Sequence, residues 1–161
     1  MSDSADPLIS VELASFLERE VAIDAASRGA DLCPSSARSM VAVVDADYRH
    51  VTVWIDREKS RPFVTDVLAS GEIAVVFCLP ESERSVQLKG RRVEQVETTQ
   101  ADIVRAERAA ARFVDGVAKL GHGRQFAEAY MAFQPQHLVG IRFEVTAIFE
   151  QTPGPNAGKK Y

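Results

Sequence analysis

The run Ile73-Ala-Val-Val-Phe-Cys-Leu79, stopped by Pro80, constrains the fold more than any other stretch of the chain. It is too short for an ordinary helix and has turn residues at both ends, so it reads as a strand covered on both faces and predicts the centre of a sheet. The stretch that follows, Arg84-Ser85-Val86-Gln87-Leu88-Lys89-Gly90, has a different pattern. In an extended chain Val86 and Leu88 share one face, while Ser85, Gln87, Lys89 and Arg91 share the other. The first face is core. The second is either a solvated outer surface or a ligand surface, and its hydroxyl, amide and two cations suit an anionic, hydrogen-bonding small molecule.

Partners for these two strands lie on either side. Met40-Val41-Ala42-Val43-Val44 is bounded by Asp45 and Asp47, and Val51, Val53 and Ile55 then alternate, so the two segments read as a hairpin. Val139, Ile141, Phe143, Val145 and Phe149 are assigned to one face of a long strand over Leu138–Glu150, and Val21–Ser27 reads as the first strand. The second long strand extends past Gly90 to about Thr98. Its alternation would put an apolar residue at position 92, but Arg92 stands there and Val93 follows, which predicts a bulge near Gly90.

Helical spacing appears behind Ser10 as an N-cap, behind Pro62 up to Gly71, and from a Thr99–Asp102 capping box to Gly121, with a shorter piece around Phe126, Tyr130 and Phe133. About six strands, with helices after the third and fifth and no β-α-β alternation, predict an antiparallel barrel of the α+β class. Residues 1–161 read as one domain, with 1–9 and 152–161 as tails.

Composition narrows the function. A net charge of −4 gives no general attraction to nucleic acid or anionic membranes, so an anion site has to be local. No apolar run approaches a membrane span, and the polar, acidic start lacks the features of a secretory signal, which fits a cytoplasmic protein. Cys33 and Cys78 are far apart and announce neither a zinc site nor a disulfide, and Cys78 reads as a small core residue.

From Val21 to Glu150 the chain resembles the pyridoxamine 5'-phosphate oxidase-like family of flavin-binding split barrels. The family's strand Arg-Gln-Val-Arg-Ile-Glu-Gly is similar to Arg84–Gly90, sharing Arg84, Val86 and Gly90. Its phosphate strand Arg-Met-Val-Leu-Leu-Lys is similar to Arg38–Val43, with Val43 in place of the lysine. Its Ser-Arg-Lys is matched by Ser60-Arg61, followed by Pro62 where the lysine stands in the family.

The resemblance implies a split-barrel homodimer that holds FMN between subunits and oxidises or reduces a small-molecule substrate, with Arg38, Ser60, Arg61, Ser85, Gln87 and Lys89 as candidate contacts. A flavin phosphate needs about two compensating cations plus further donors, which Arg38, Arg61 and Lys89 could supply. Arg38 alternates onto the face of Met40 and Ala42, which makes a purely solvated role less natural there, whereas Arg61 also suits the exposed start of a helix and Lys89 a solvated strand face.

Oxidation of pyridoxamine phosphate itself is not supported, because the family's substrate-binding and C-terminal aromatic positions find no match. A sensing module that binds flavin or haem without turnover is the alternative. For haem, His122 and His137 are the candidate ligands, each of which also reads as an ordinary loop residue. Trp54 reads as a core or interface aromatic that could stack on a flavin.

Overall fold

The computed structural model describes residues 8–161. Six strands alternate with helices in the order α1 (Val11–Leu17), β1 (Ala22–Arg28), β2 (Pro34–Val44), β3 (His50–Asp56), α2 (Arg61–Ser70), β4 (Glu72–Cys78), β5 (Ser85–Val96), α3 (Gln100–Lys119), α4 (Arg124–Tyr130) and β6 (Leu138–Glu150), with a 3₁₀ turn at Pro135–His137. The strands close into an antiparallel barrel in the order β1-β2-β3-β6-β5-β4. Closure pairs every strand on both sides, so no edge is left to recruit another chain.

Local chemistry sets the helix ends. The Ser10 hydroxyl accepts from the Leu13 N–H at 3.1 Å. Thr99 and Asp102 form the reciprocal capping box that starts α3. At the other end of α2, Gly71 takes a left-handed conformation with φ of 65°, which lets its N–H close on the Val67 carbonyl.

Alternating inward residues fill the barrel, among them Ile23, Val53, Val75, Phe77, Leu88, Ile141 and Phe143. Phe63 and Val67 of α2 join this core where β4 begins, and Phe16 and Leu17 of α1 join it at the end where β2 finishes. A second core lies outside the barrel wall, where Met40, Val41 and Trp54 pack against Phe113, Val114 and Val117 of α3 and Ala127 of α4.

Bulges decide which side chains face out. Ser39 opposes Ile55 and Val41 opposes Trp54, so β2 carries an extra residue at Met40. The bulge is satisfied internally: the Ser39 hydroxyl lies 3.0 Å from both the Val41 and the Trp54 carbonyl oxygens. Its effect corrects the reading of Arg38, which shares the outer face with Met40 but not with Ala42, a residue of the barrel interior.

The register slip expected near Gly90 is present and has two parts. β6 carries an extra residue at Thr146 opposite Lys89–Gly90, and β5 carries its own beyond Arg91, where Arg92 has φ of 53°. The first part turns Phe149 outward, away from the face of Val145, because Ile148 takes the inward place. Gly90 is required for close approach: a Cβ there would run into the Phe143 ring and stand 2.9 Å from the Glu144 carbonyl oxygen.

β4 also departs from expectation. Ile73, Val75 and Phe77 are buried, but Ala74, Val76 and Cys78 are only half-buried. A closed barrel has one interior and no central strand, so covering the outer face of β4 would need another layer, and α3 and α4 lie over β2 instead. Cys78 is therefore an outer-wall residue and not a core one.

Residues 152–161, expected as a tail, fold back onto the barrel. Ser85 donates its N–H to the Thr152 hydroxyl at 3.0 Å, Lys160 bridges to Phe149, and the Tyr161 hydroxyl meets Glu150 at 2.9 Å. At the other terminus Ile9 is buried and donates to the Tyr48 carbonyl at 3.1 Å, whereas residues 1–7 of the expected tail lie outside the described residues.

Candidate functional site

Strand register places most of the expected contacts on one outer surface. Arg38 of β2 stands opposite Asp24 of β1, Asp24 opposite Val76 of β4, and Val76 opposite Gln87 of β5. The adjacent outward row is Ser36, Ala26, Ala74 and Lys89. Neighbouring strands are about 4.8 Å apart, so Arg38 and Gln87 stand three spacings, roughly 14 Å, from each other around the wall. Between them lie Asp24, which pairs with Arg38, and a floor of small side chains, Ala26, Ala74 and Val76.

At the β2 margin the Arg38 guanidinium donates to Asp24 at 2.9 Å and lies over the Tyr130 ring of α4, 3.2 Å from its centroid. Tyr130 is stacked in turn on Phe113, with centroids 5.6 Å apart. Burial pulls the guanidinium pKa down from its usual value, against the upward pull of Asp24. Its Nη1 is buried and has no acceptor among the described residues. Asp24 and Tyr130 thus hold the guanidinium in place, and its Nη1 is left to meet a further acceptor.

At the β5 margin Lys89 extends over Phe149, with Nζ 5.5 Å from the ring centroid, and makes no ion pair among the described residues. It borders a hollow of about 480 Å³ between β1, β4 and β5. Three cations, Arg28, Lys89 and Arg91, line that hollow against one carboxylate, Glu72, with the hydroxyls of Ser27 and Thr146 beside them. Glu72 is shared between Arg28 at 3.0 Å and Arg91 at 3.9 Å, so positive charge is left over. Sequence reasoning found Lys89 and the outward place of Arg91 but missed Arg28, whose approach to them depends on the β1–β4 and β4–β5 pairings.

The other three expected contacts fare differently. Ser85 is 8% exposed, and its hydroxyl donates to the Glu83 carbonyl at 2.9 Å, so it serves the β4–β5 turn. Ser60 and Arg61 start α2, the far end of the helix from the Ser70–Glu72 segment that borders the Lys89 hollow. Ten residues of helix separate the two ends by about 15 Å. Ser60 is buried, and Arg61 is exposed and paired with Glu58. These two do not join the surface formed by Arg38, Gln87 and Lys89 within one chain.

Trp54 is buried beneath α3 and α4, which removes it as a stacking partner for a ligand on this surface. His122 lies in the turn after α3, and His137 lies in the 3₁₀ turn, with Nδ1 3.8 Å from Asp56. Neither shares the outward face of β1, β4 and β5. Asp45, Asp47 and His50 come together at the β2–β3 turn, but Arg142 occupies Asp45 at 2.8 Å, and Asp47 accepts the Arg49 and His50 N–H groups.

No protein-family model matches the sequence, and no curated protein sequence does either. Solved structures do match. An F420 reductase aligns with a TM-score of 0.53 at 15% identity, covering 83% of this chain and 93% of its own. A candidate pyridoxamine 5'-phosphate oxidase from Lactobacillus delbrueckii aligns with a TM-score of 0.53 at 12% identity, covering 88% and 93%. The chain has the fold of the pyridoxamine 5'-phosphate oxidase-like split barrels. HutZ, the haem storage protein of Vibrio cholerae, shares this split barrel with a TM-score of 0.51 at 11% identity, covering 88% and 94%. No helix among the described residues is long and apolar enough to cross a membrane.

Proposed function

We propose that this split barrel binds FMN on the outer face of β1, β4 and β5, between two copies of the chain, and uses it to oxidise or reduce a small molecule. The observation that carries this reading is the small-residue floor of Ala26, Ala74 and Val76, with Arg38 on one margin and Gln87 and Lys89 on the other. A flat ring system needs such a floor, because long side chains would hold it off the wall. Its phosphate needs about two cations, and Lys89 with Arg28 and Arg91 supplies them around the 480 Å³ hollow. Gln87, whose carbonyl oxygen meets the Gln151 amide at 3.4 Å, is placed to hydrogen-bond a ring edge. FMN, when bound, supplies the electron transfer, and the chain supplies position and charge.

The second copy follows from the same surface. Ala74, Val76 and Cys78 are apolar, outward and only half-buried in one chain, and a partner lying on them would complete the cover that β4 lacks. A shared cleft of this kind also gives Ser60 and Arg61 a route to the ligand from the other subunit. Haem, the alternative ligand, is less well served, since none of the three histidines stands on this face.

The test is reconstitution of purified chain with FMN, followed by absorption spectroscopy and sedimentation. A flavin band that travels with a dimer, and is released on denaturation, is the expected result. A Soret band in protein supplied with haem, together with no retention of FMN, overturns the flavin reading. Flavin bound to a monomer overturns the shared cleft.

A further inference from the structure

A second hollow, of about 410 Å³, lies at the opposite end of the barrel, between the end of α1, the β4–β5 turn and the outer half of α3. Its floor is apolar and comes from two of these three: Leu79 and Pro80 from the turn, Phe113 and Val117 from the helix. Leu120 also lines the hollow and is 44% exposed, which adds apolar surface to it.

Gly116 lines the same hollow in the interior of a 20-residue helix. Glycine is the poorest helix former after proline. Nothing in the fold asks for it, because a Cβ at Gly116 would meet no atom within 4 Å. Neither backbone conformation nor packing within the chain explains this residue, whereas an approaching molecule that needs the bare helix backbone does.

The rim sets the charge of that molecule. Glu20 is engaged by Arg112 at 3.3 Å, and Asp115 by Arg124 at 2.6 Å. Arg19 and Lys119 have no carboxylate within ion-pair distance among the described residues, and Glu81, on the turn side, is the single acid of the rim left unengaged. Two free cations beside an apolar trough suit a ligand with an apolar body and one anionic head.

We propose that this hollow is a binding site for a small amphiphilic anion, such as a medium-chain carboxylate, with its apolar body laid along Gly116 and its head between Arg19 and Lys119. The site is separate from the flavin surface: none of its lining residues is among those that border the Lys89 hollow.

Decanoate and neutral decanol serve as the probes, with affinities read by titration calorimetry. The wild-type chain is expected to bind decanoate at least about tenfold more tightly than decanol, since two partly exposed charge contacts are each worth up to a few-fold in affinity. Gly116→Leu grows into the trough from a position where a Cβ meets no atom within 4 Å, so it should abolish decanoate binding while the melting temperature stays level or rises. Arg19→Gln and Lys119→Gln should each weaken decanoate about threefold to fivefold and leave decanol unchanged. Equal binding of the two probes overturns the anion assignment. Undiminished decanoate binding by G116L overturns the site. If G116L changes the sedimentation of the protein and not its decanoate binding, the bare helix backbone is a contact for a second copy and the ligand proposal falls.

Discussion

The barrel has two outer faces of opposite character. Over β2 and β3, Met40, Val41 and Trp54 are large and bury themselves against α3 and α4. Over β1, β4 and β5 the outward residues include Asp24, Ala26, Ala74, Val76, Gln87 and Lys89, and no helix among the described residues lies over them. Large side chains specify a permanent protein cover, because each buried aromatic contributes about 1.5–3 kcal/mol only when its whole surface leaves water. Small side chains leave a shallow floor that another molecule can occupy and vacate. Arg38 stands on the seam, with its guanidinium under Tyr130 of the covered side and one nitrogen still lacking an acceptor.

The comparison breaks most directly at Trp54. Trp54→Ala should destabilise the protein by about 3–5 kcal/mol in urea unfolding, because it empties the centre of the outer core. Trp54→Phe should cost much less, under about 1.5 kcal/mol, since the indole N–H has no partner to lose. A large loss in Trp54→Phe would reveal a hydrogen bond on the covered face.

On the bare face the same experiment should read ligand instead of stability. Lys89→Ala and Arg38→Ala should each weaken FMN by about 1–3 kcal/mol in fluorescence titration. Lys89→Ala should leave the unfolding midpoint nearly unchanged because its ammonium is exposed. Equal FMN affinity in both variants would remove both margins from the flavin site.

Val76→Arg tests the floor itself. It should convert the proposed dimer to monomer in sedimentation, with monomer stability changed by no more than about 0.5 kcal/mol. Loss of folding would mean that this face is core after all, and the contrast between the two faces would disappear.

The smallest effect concerns the turn that joins β2 to β3. Burial pushes the Asp47 carboxyl up, but the N–H groups of Arg49 and His50 and the His50 ring outweigh it, bringing it from 3.8 down to about 2. A depressed carboxyl stabilises the fold above its unfolded pKa, so this contribution is complete above about pH 4 and is lost as pH falls through about 2. With the side chain 42% exposed, solvent screening holds the effect below about 1 kcal/mol. Asp47→Asn should flatten the acid limb of the stability profile by that amount, and an unchanged limb would place the acid sensitivity elsewhere.

Periodicity made the barrel legible, since the segments around Val53, Val86 and Ile141 each have one apolar face and the run around Val75 is apolar throughout, and capping residues such as Ser10 and Thr99 marked the helices. The polar face of β5 was legible for the same reason. The break in alternation at Arg92 also revealed the slip near Gly90, but nothing in the alternation revealed the bulges at Met40 and Thr146, which reassign Arg38 and Phe149, since bulges depend on the partner strand as much as on the bulged one. Ser60 and Arg61 matched a family pattern in one dimension, but the 15 Å or so of α2 carries them away from Lys89.

By itself, then, the sequence determined strand number, helix placement and the residues that are core in any arrangement, because burial depends on local spacing. Tertiary structure alone decided that Arg38, Asp24, Val76 and Gln87 form one row, and that Arg28 and Arg91 share Glu72. Those neighbours come from four different strands, and only barrel closure and register set the distances between them.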